Sequence, residues 1–414
     1  MLASRPSLLF ACLTALALAV GAPGCSDAPG SAPSGDLLYP TSGDPGAAEW
    51  QPVPPERVAE DCRLDPTILA EADARLGVPW AVVRYGRLCH EFYPEGPQQA
   101  EEITEIFSTT KTLGAVVTGI VAWQTRDLPR TGRKTGPLTA EDRVDHWLDE
   151  FDFNPDARIG HVLGMVAHND DLSFGAKRFQ YDWDGSVQIN RLNDVINTVV
   201  AQDPERFGAN VEEVTQRFLF GPLGMRHSRW SNGAPNKIFA YSWASTVRDM
   251  ARLGLLLVHG GVWSGERILG EDWVYAMTHP SFEDANPGYG YLTWLNSLTN
   301  GVERNIECAP LAVNAVFPHG LSEATDCGYE DQSLCEQKHD VGVWNAAGLF
   351  GHYIIGHRGL DLVLVAKDLD PVGGPDDLWR IFRPALIALD PRFAGDEEGF
   401  CAAYAAAEYA PDLR

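Results

Sequence analysis

The chain is short of positive charge. It holds 32 Lys and Arg against 57 Asp and Glu in 414 residues, a formal net charge of −25. A surface this acidic repels phosphate backbones, which excludes nucleic-acid binding as a main function. Long apolar runs are scarce as well. A single one stands at the start of the chain, and that excludes a multi-span membrane protein. No Cys-x-x-Cys pair occurs, so a thiolate zinc site has no framework. Gly-x-Ser-x-Gly and His-Glu-x-x-His are also missing, which leaves a nucleophile elbow and a zinc-protease helix unsupported. Asp368-Leu369-Asp370 followed by Gly373 lacks the acidic residue that would close a calcium loop. No metal and no organic cofactor is expected.

What is present is globular. Hydrophobic residues make up 45% and charged residues 21%, and the length is ample for a sizeable core. Residues 1–24 read as an export signal, with Arg5 ahead of the apolar stretch from Leu8 to Val20. The run Ala22-Pro23-Gly24-Cys25 resembles a bacterial lipoprotein signal, which implies lipidation of Cys25 and a periplasmic or cell-surface location. Residues 25–56 are rich in Pro, Gly, Ser and Ala, and such a composition reads as a flexible tether. Membrane contact is expected only through the N-terminal lipid.

Six cysteines remain after Cys12 and Cys25: Cys62, Cys89, Cys308, Cys327, Cys335 and Cys401. An even number in an exported chain implies up to about three disulfides, with pairing left open. Residues 80–93 (WAVVRYGRLCHEFY) alternate apolar and polar and break at Gly86-Arg87, the pattern of a hairpin. His352 to Val365 repeats it, with a turn at Arg358-Gly359, and Asp376 to Leu389 reads as a closing helix. Between these ends helical spacing dominates. Glu212 to Phe220 is expected to stop at Gly221-Pro222, and Thr246 to Val258 to start from Ser245 as its cap. Strands at both ends imply an α/β fold whose sheet is built from both termini, with a mostly helical insert over about 124–240. Residues 296–340 are polar, irregular and cysteine-bearing, and read as a disulfide-tied excursion.

The chemistry concentrates in residues 106–123 (IFSTTKTLGAVVTGIVAW). Beyond Lys111 this helix is small or apolar all round, hence buried. A spacing of three puts Ser108 and Lys111 on one face, one turn apart. A dry amine beside a hydroxyl at a helix N-terminus is a recognised way to activate a nucleophile.

On these residues the chain resembles the serine β-lactamase and penicillin-binding-protein superfamily, in the branch related to class C β-lactamases and esterases. Further matches are Gly221-Pro222-Leu223-Gly224-Met225, the helix from Ser245 to Gly254, and the strand Gly288-Tyr289-Gly290-Tyr291-Leu292-Thr293-Trp294. The resemblance covers roughly residues 65–390 and places one hydrolase domain at 57–414. It implies a β-lactamase/transpeptidase-like antiparallel sheet flanked by helices. Ser108 then serves as nucleophile, with Lys111 and Tyr181 as the base system and the amides of Ser108 and Leu349 as oxyanion donors. Trp183, Ala346, Ala347 and Gly348 would line the substrate pocket. Two positions depart from the family pattern. Trp183 stands where the second motif has Asn, and Ala346 where the third has a basic residue that holds a substrate carboxylate. Both departures favour an esterase- or amidase-like site with a more apolar acyl or alcohol pocket. A catalytically weak cell-envelope binding module, a D,D-peptidase acting on cell-wall peptide and a weak β-lactamase stay open.

Overall fold

The computed structural model describes residues 43–181, 185, 188–232, 237–282, 284–286, 288–299, 338–369 and six positions between 381 and 389. The export signal, Cys25, Trp183, Cys308, Cys327, Cys335 and Cys401 lie outside the described residues.

After the short α1 (Val58–Asp61), α2 (Pro66–Leu76) starts from Asp65, whose carboxylate accepts from the amides of Thr67 and Ile68. Strands β1 (Trp80–Arg84) and β2 (Arg87–Phe92) form the expected hairpin. Its turn is Tyr85-Gly86, with φ of +53° and +70°, one residue earlier than the break expected at Gly86-Arg87. Left-handed backbone at both turn positions matches the twist of the flanking strands.

A short β3 (Thr104–Glu105) leads into α3 (Thr109–Thr125). The helical middle holds α4 (Val144–Trp147), α5 (Ile159–Leu163), α6 (Arg191–Val200), α7 (Pro204–Phe207) and α8 (Val211–Thr215). The last of these does not stop at Gly221-Pro222 as expected. It widens into a π-turn over Gln216–Phe220, where the Gly221 amide reaches back to the Gln216 carbonyl, and runs on to Leu223. A ladder already loosened there accommodates a proline with no N–H to give. Left-handed Gly224 ends it.

Next come β4 (Arg229–Trp230), β5 (Trp243–Ser245), α9 (Val247–Val258), the small hairpin β6 (Val262–Trp263) and β7 (Glu266–Arg267), and α10 (Glu271–Thr278). The cap of α9 is Thr246, whose hydroxyl accepts from the Asp249 amide, rather than Ser245. Ser245 is taken up as the last residue of β5, paired with Thr104, and its hydroxyl meets that of Ser228. The chain closes with β8 (Trp294–Thr299), β9 (Lys338–Gly348), β10 (His352–His357) and β11 (Leu362–Ala366). Described positions from Ile381 to Leu389 are helical, in keeping with the closing helix.

The main sheet is six-stranded and antiparallel, in the order β2-β1-β11-β10-β9-β8. Its central strands therefore come from the two ends of the domain, as expected. Alternation along the strands splits the core in two. Ala81, Val83, Ile354, Val363 and Val365 pack with α3 and α9 on one face. Trp80, Val82, Tyr353, Leu362 and Leu364 pack with α2, Ile381, Ala385 and Leu389 on the other. Both faces are covered, so even Arg84 is buried, donating to the carbonyls of Cys62, Arg63 and Leu360.

Three expectations change at the margins. Residues 296–299 and 338–340 are strand, not irregular chain: β8 pairs with β9 from Trp294↔Asn345 to Thr299↔Lys338, and 300–337 lie outside the described residues. Gly288-Tyr289-Gly290 is a turn, with the strand beginning only at Trp294. The expected tether is docked from residue 43 onward. Arg252 donates to the carbonyls of Gly46 and Ala48 and stands over the ring of buried Trp50, and the Val53 amide donates to the Leu88 carbonyl. One tryptophan with a socket outweighs a composition that otherwise cannot bury itself. Cys62 and Cys89 form a disulfide that ties the chain ahead of α2 to β2. Among the described residues no helix is long and apolar enough to cross a membrane.

Candidate active site

Ser108 is the N-cap residue of α3, and its hydroxyl makes no capping bond. The residue before it, Phe107, is held at φ +46°, a left-handed conformation costly for an aromatic residue and persistent only where neighbours enforce it. Those neighbours are visible. The Thr110 hydroxyl donates to the Phe107 carbonyl and accepts from the Trp243 amide. Thr109 donates to the His352 carbonyl and Thr112 to the Leu292 carbonyl. Three hydroxyls that read in sequence as merely small residues thus bolt the start of α3 to β5, β10 and the turn before β8. The only hint was a run of threonine in a helix that would rather have alanine or leucine.

Lys111 is 3% exposed. Its Nζ lies 2.9 Å from Ser108 Oγ and 3.1 Å from the Ala240 carbonyl oxygen, to which it donates. The expected Ser–Lys contact is therefore made, and the carbonyl that anchors the amine comes from a residue that nothing in the sequence marked. That carbonyl is placed by the Asn190 side chain, which accepts from the Ala240 amide.

Tyr181 is also brought to Lys111, but differently from the expectation of a shared proton. The amine lies 4.8 Å from the centre of the ring, and the phenol oxygen makes no hydrogen bond to Ser108 or Lys111. A cation over an aromatic face is itself favourable. The ring is wedged against Trp294, Tyr289 and Phe179. The loop leading to it is clamped by a buried ion pair: Lys177 Nζ meets Asp284 Oδ2 at 3.1 Å, and the same carboxylate accepts from the Gly175 amide. Past Tyr181, Gly185 turns so tightly that a Cβ there would stand 2.1 Å from the Gln180 carbonyl oxygen.

The third segment lies on β9. Ala346 is buried in the core, and alternation puts Ala347 on the opposite face of the strand. Gly348 faces the start of α3. A Cβ there would come within 2.3 Å of the Ile106 carbonyl oxygen and 2.7 Å of Thr109 Oγ1. Its close approach is made to the start of α3. Directly after it, Leu349 and Phe350 are exposed, and Phe350 packs edge-on against Phe107. Among the described residues neither the Ser108 amide nor the Leu349 amide has an acceptor. Two unspent donors therefore flank the start of α3, where the helix dipole also favours negative charge.

Behind this end of α3 lies a second basic layer. His352 is buried, stacks on Phe107 at 5.9 Å, and is pushed down to about 4, first by burial and then by the charge of Lys367. Lys367 is itself lowered by burial, while its ammonium donates to the Glu102 carbonyl.

A Ser–Lys pair at the head of a buried helix, against an antiparallel sheet made from both chain ends, defines the β-lactamase/transpeptidase-like fold, in which serine β-lactamases, penicillin-binding proteins and related carboxylesterases are built. A family VIII carboxylesterase shares it at 13% identity and a TM-score of 0.51, over 78% of this chain and 97% of that one. Also similar are a β-lactamase from Mycobacterium bovis (15% identity, TM-score 0.46, 82% and 99% covered) and a penicillin-binding-protein homologue from Caulobacter crescentus (13%, 0.45, 77% and 97%). No protein-family model and no curated protein matches the chain.

Proposed function

We propose that the protein is a serine hydrolase that opens an ester or amide through an acyl-enzyme on Ser108. The observation that carries this reading is the 2.9 Å contact between Lys111 Nζ and Ser108 Oγ, with the lysine buried and the serine half-buried. In the resting arrangement the amine donates to the hydroxyl. With Lys111 as the neutral amine and the contact turned round, so that Oγ–H donates to the nitrogen lone pair, Lys111 accepts the proton as Oγ bonds to the substrate carbonyl carbon. The carbonyl oxygen, now negative, takes hydrogen bonds from the amides of Ser108 and Leu349. The proton then passes to the leaving alcohol or amine, and water releases the acyl group by the same route. Tyr181 steadies the charged amine with its ring face.

Carboxylate-bearing substrates are disfavoured. Ala346 supplies no cation, and a chain of net charge −25 repels anions. An uncharged acyl ester or amide fits better than a β-lactam or a cell-wall peptide C-terminus. We further propose that the enzyme is exported and tethered through a lipid on Cys25.

Labelling with a fluorophosphonate tests the core of this. Wild type takes the tag on the Ser108 peptide, whereas Ser108→Ala stays unlabelled; equal labelling of both proteins removes the assignment. One observation favours a second reading. Tyr181 offers its ring rather than its phenol to Lys111, as suits a weakly catalytic module that binds cell-envelope fragments. Retained binding to such fragments, with no turnover of acyl esters, nitrocefin or D-Ala-D-Ala peptides, would select that reading.

A further inference from the structure

Among the described residues four large apolar side chains are exposed: Phe174, Tyr241, Leu349 and Phe350. Exposed apolar residues scattered singly are ordinary and call for no account. Phe174 belongs to the loop of the Lys177–Asp284 brace, with the Lys177 amine 5.8 Å from its ring. The other three are tied to the reacting groups. Leu349 carries one of the two unspent amides beside the start of α3. Phe350 packs edge-on, at 4.9 Å, against Phe107, the residue directly before Ser108. Tyr241 directly follows Ala240, whose carbonyl holds the Lys111 amine.

Phe350 is the sharpest case. It takes the third place of a four-residue turn, Gly348-Leu349-Phe350-Gly351, closed by the Gly351 amide on the Gly348 carbonyl at 3.2 Å. Its φ is +68°. A turn bent this way suits glycine or asparagine at that place, because a Cβ crowds the chain. Phe350 is 40% exposed, so burial of its ring returns little for the strain. Phe107 is bent alike, at +46°. Two aromatic residues in left-handed backbone therefore touch one another beside Ser108, and strain of this kind gathers where ligands are held.

The chemistry of the hydrolase reading, on which this step rests, says which part of a substrate lies here. The amides of Ser108 and Leu349 take the carbonyl oxygen, and Oγ bonds to the same carbon. That carbon belongs to the acyl group, which stays on Ser108 through both halves of the reaction. The leaving alcohol departs toward Lys111, which gives it a proton. The side chains beside the Leu349 amide thus meet the acyl part.

We infer that Leu349 and Phe350 form an acyl-binding rim, and that the substrate is an uncharged ester whose linear apolar acyl chain is several carbons longer than acetyl. Each methylene laid on the rim leaves water on one side, so every added carbon favours binding, though less than full burial would.

The test uses the full chain and the p-nitrophenyl esters of acetate, butyrate and octanoate, kept in monomeric solution, with kcat/KM as readout. The octanoyl ester is expected to exceed the acetyl ester by about tenfold or more. Phe350→Asn and Leu349→Ser should each cut that octanoyl-to-acetyl ratio by about threefold or more, and the double variant should bring it close to unity. The ratio is taken within one protein, so any change in the reactivity of Ser108 itself cancels. Both positions are exposed, and asparagine accepts left-handed backbone more readily than phenylalanine, so the fold is not at stake. A ratio near unity in wild type, or one unchanged in the variants, overturns the inference. So does a rise that appears only once the ester forms micelles, which would assign the rim to a lipid surface. Loss of a dimer in the variants with the ratio intact would assign it to a second copy, and overturns the inference too. Wild type left unlabelled at Ser108 by fluorophosphonate removes the hydrolase reading and this one with it, whereas labelling with a flat ester series removes this one alone.

Discussion

At the residue scale, Lys111 and Gly348 show two kinds of necessity. Replacing Lys111 by Met keeps the apolar stem and removes the amine, so folding should survive while acylation of Ser108 slows by about a thousandfold, within the range expected for loss of a general base. Single-turnover mass spectrometry of the adduct checks this. Gly348→Ala acts on stability instead. Its new methyl collides with fixed backbone at Ile106, and overpacking of this kind costs about 1–3 kcal/mol, which urea denaturation would read. His352 adds a pH dependence. Its folded value of about 4 lies below the ordinary histidine value of about 6.5, so the native state holds it neutral while the unfolded chain protonates. Its stabilising contribution is full above pH 6.5, falls as pH drops, and is lost near pH 4, a change of about 3 kcal/mol. His352→Asn should flatten the acid limb of a melting-temperature profile over that window. An unchanged limb would place the acid sensitivity elsewhere.

At the scale of elements, α3 is a rigid post and the loop ahead of Tyr181 a braced strut. The brace is the Lys177–Asp284 pair, with side chains 1% and 6% exposed. Lys177→Met leaves a buried carboxylate without its cation, a loss of about 3–5 kcal/mol. Lys177→Met combined with Asp284→Leu should recover much of it, because a matched apolar pair carries no stranded charge. If the double variant is as unstable as the single, the pair is not what holds the loop. The same comparison read by Ser108 labelling shows how far the position of Tyr181 depends on this brace.

At the scale of the whole molecule, distant segments are joined by few, specific fastenings. The Cys62–Cys89 disulfide closes a loop of 27 residues. A chain-entropy argument assigns such a closure about 3.5 kcal/mol, so Cys62→Ala with Cys89→Ala should lower stability by that order in chemical denaturation. The segment from residue 43 is fastened by Trp50 and Arg252. An unanchored chain would not notice Trp50→Ala, whereas the docked segment should lose protease resistance before the body of the domain does.

Much of this could be read in advance because it is local. The two hairpins followed from alternation and turn residues, the buried helix from its unbroken small and apolar run, and the Ser108–Lys111 contact from a spacing of three on a 3.6-residue period. Where local and global demands met, the reading slipped. Ser245 looked like a cap until β5 claimed it, Gly221-Pro222 looked like a stop until a π-turn absorbed them, and 43–56 looked free until Trp50 found a socket. Other features depend on groups 70 or more residues apart in the chain being brought together by packing, and could not be foreseen from spacing at all. They include the Ala240 carbonyl that holds the lysine and the ring face that Tyr181 turns toward it. Periodicity is a property of consecutive residues and is written in their order. Which carbonyl or aromatic face closes a pocket is decided only when packing brings separate segments into one place.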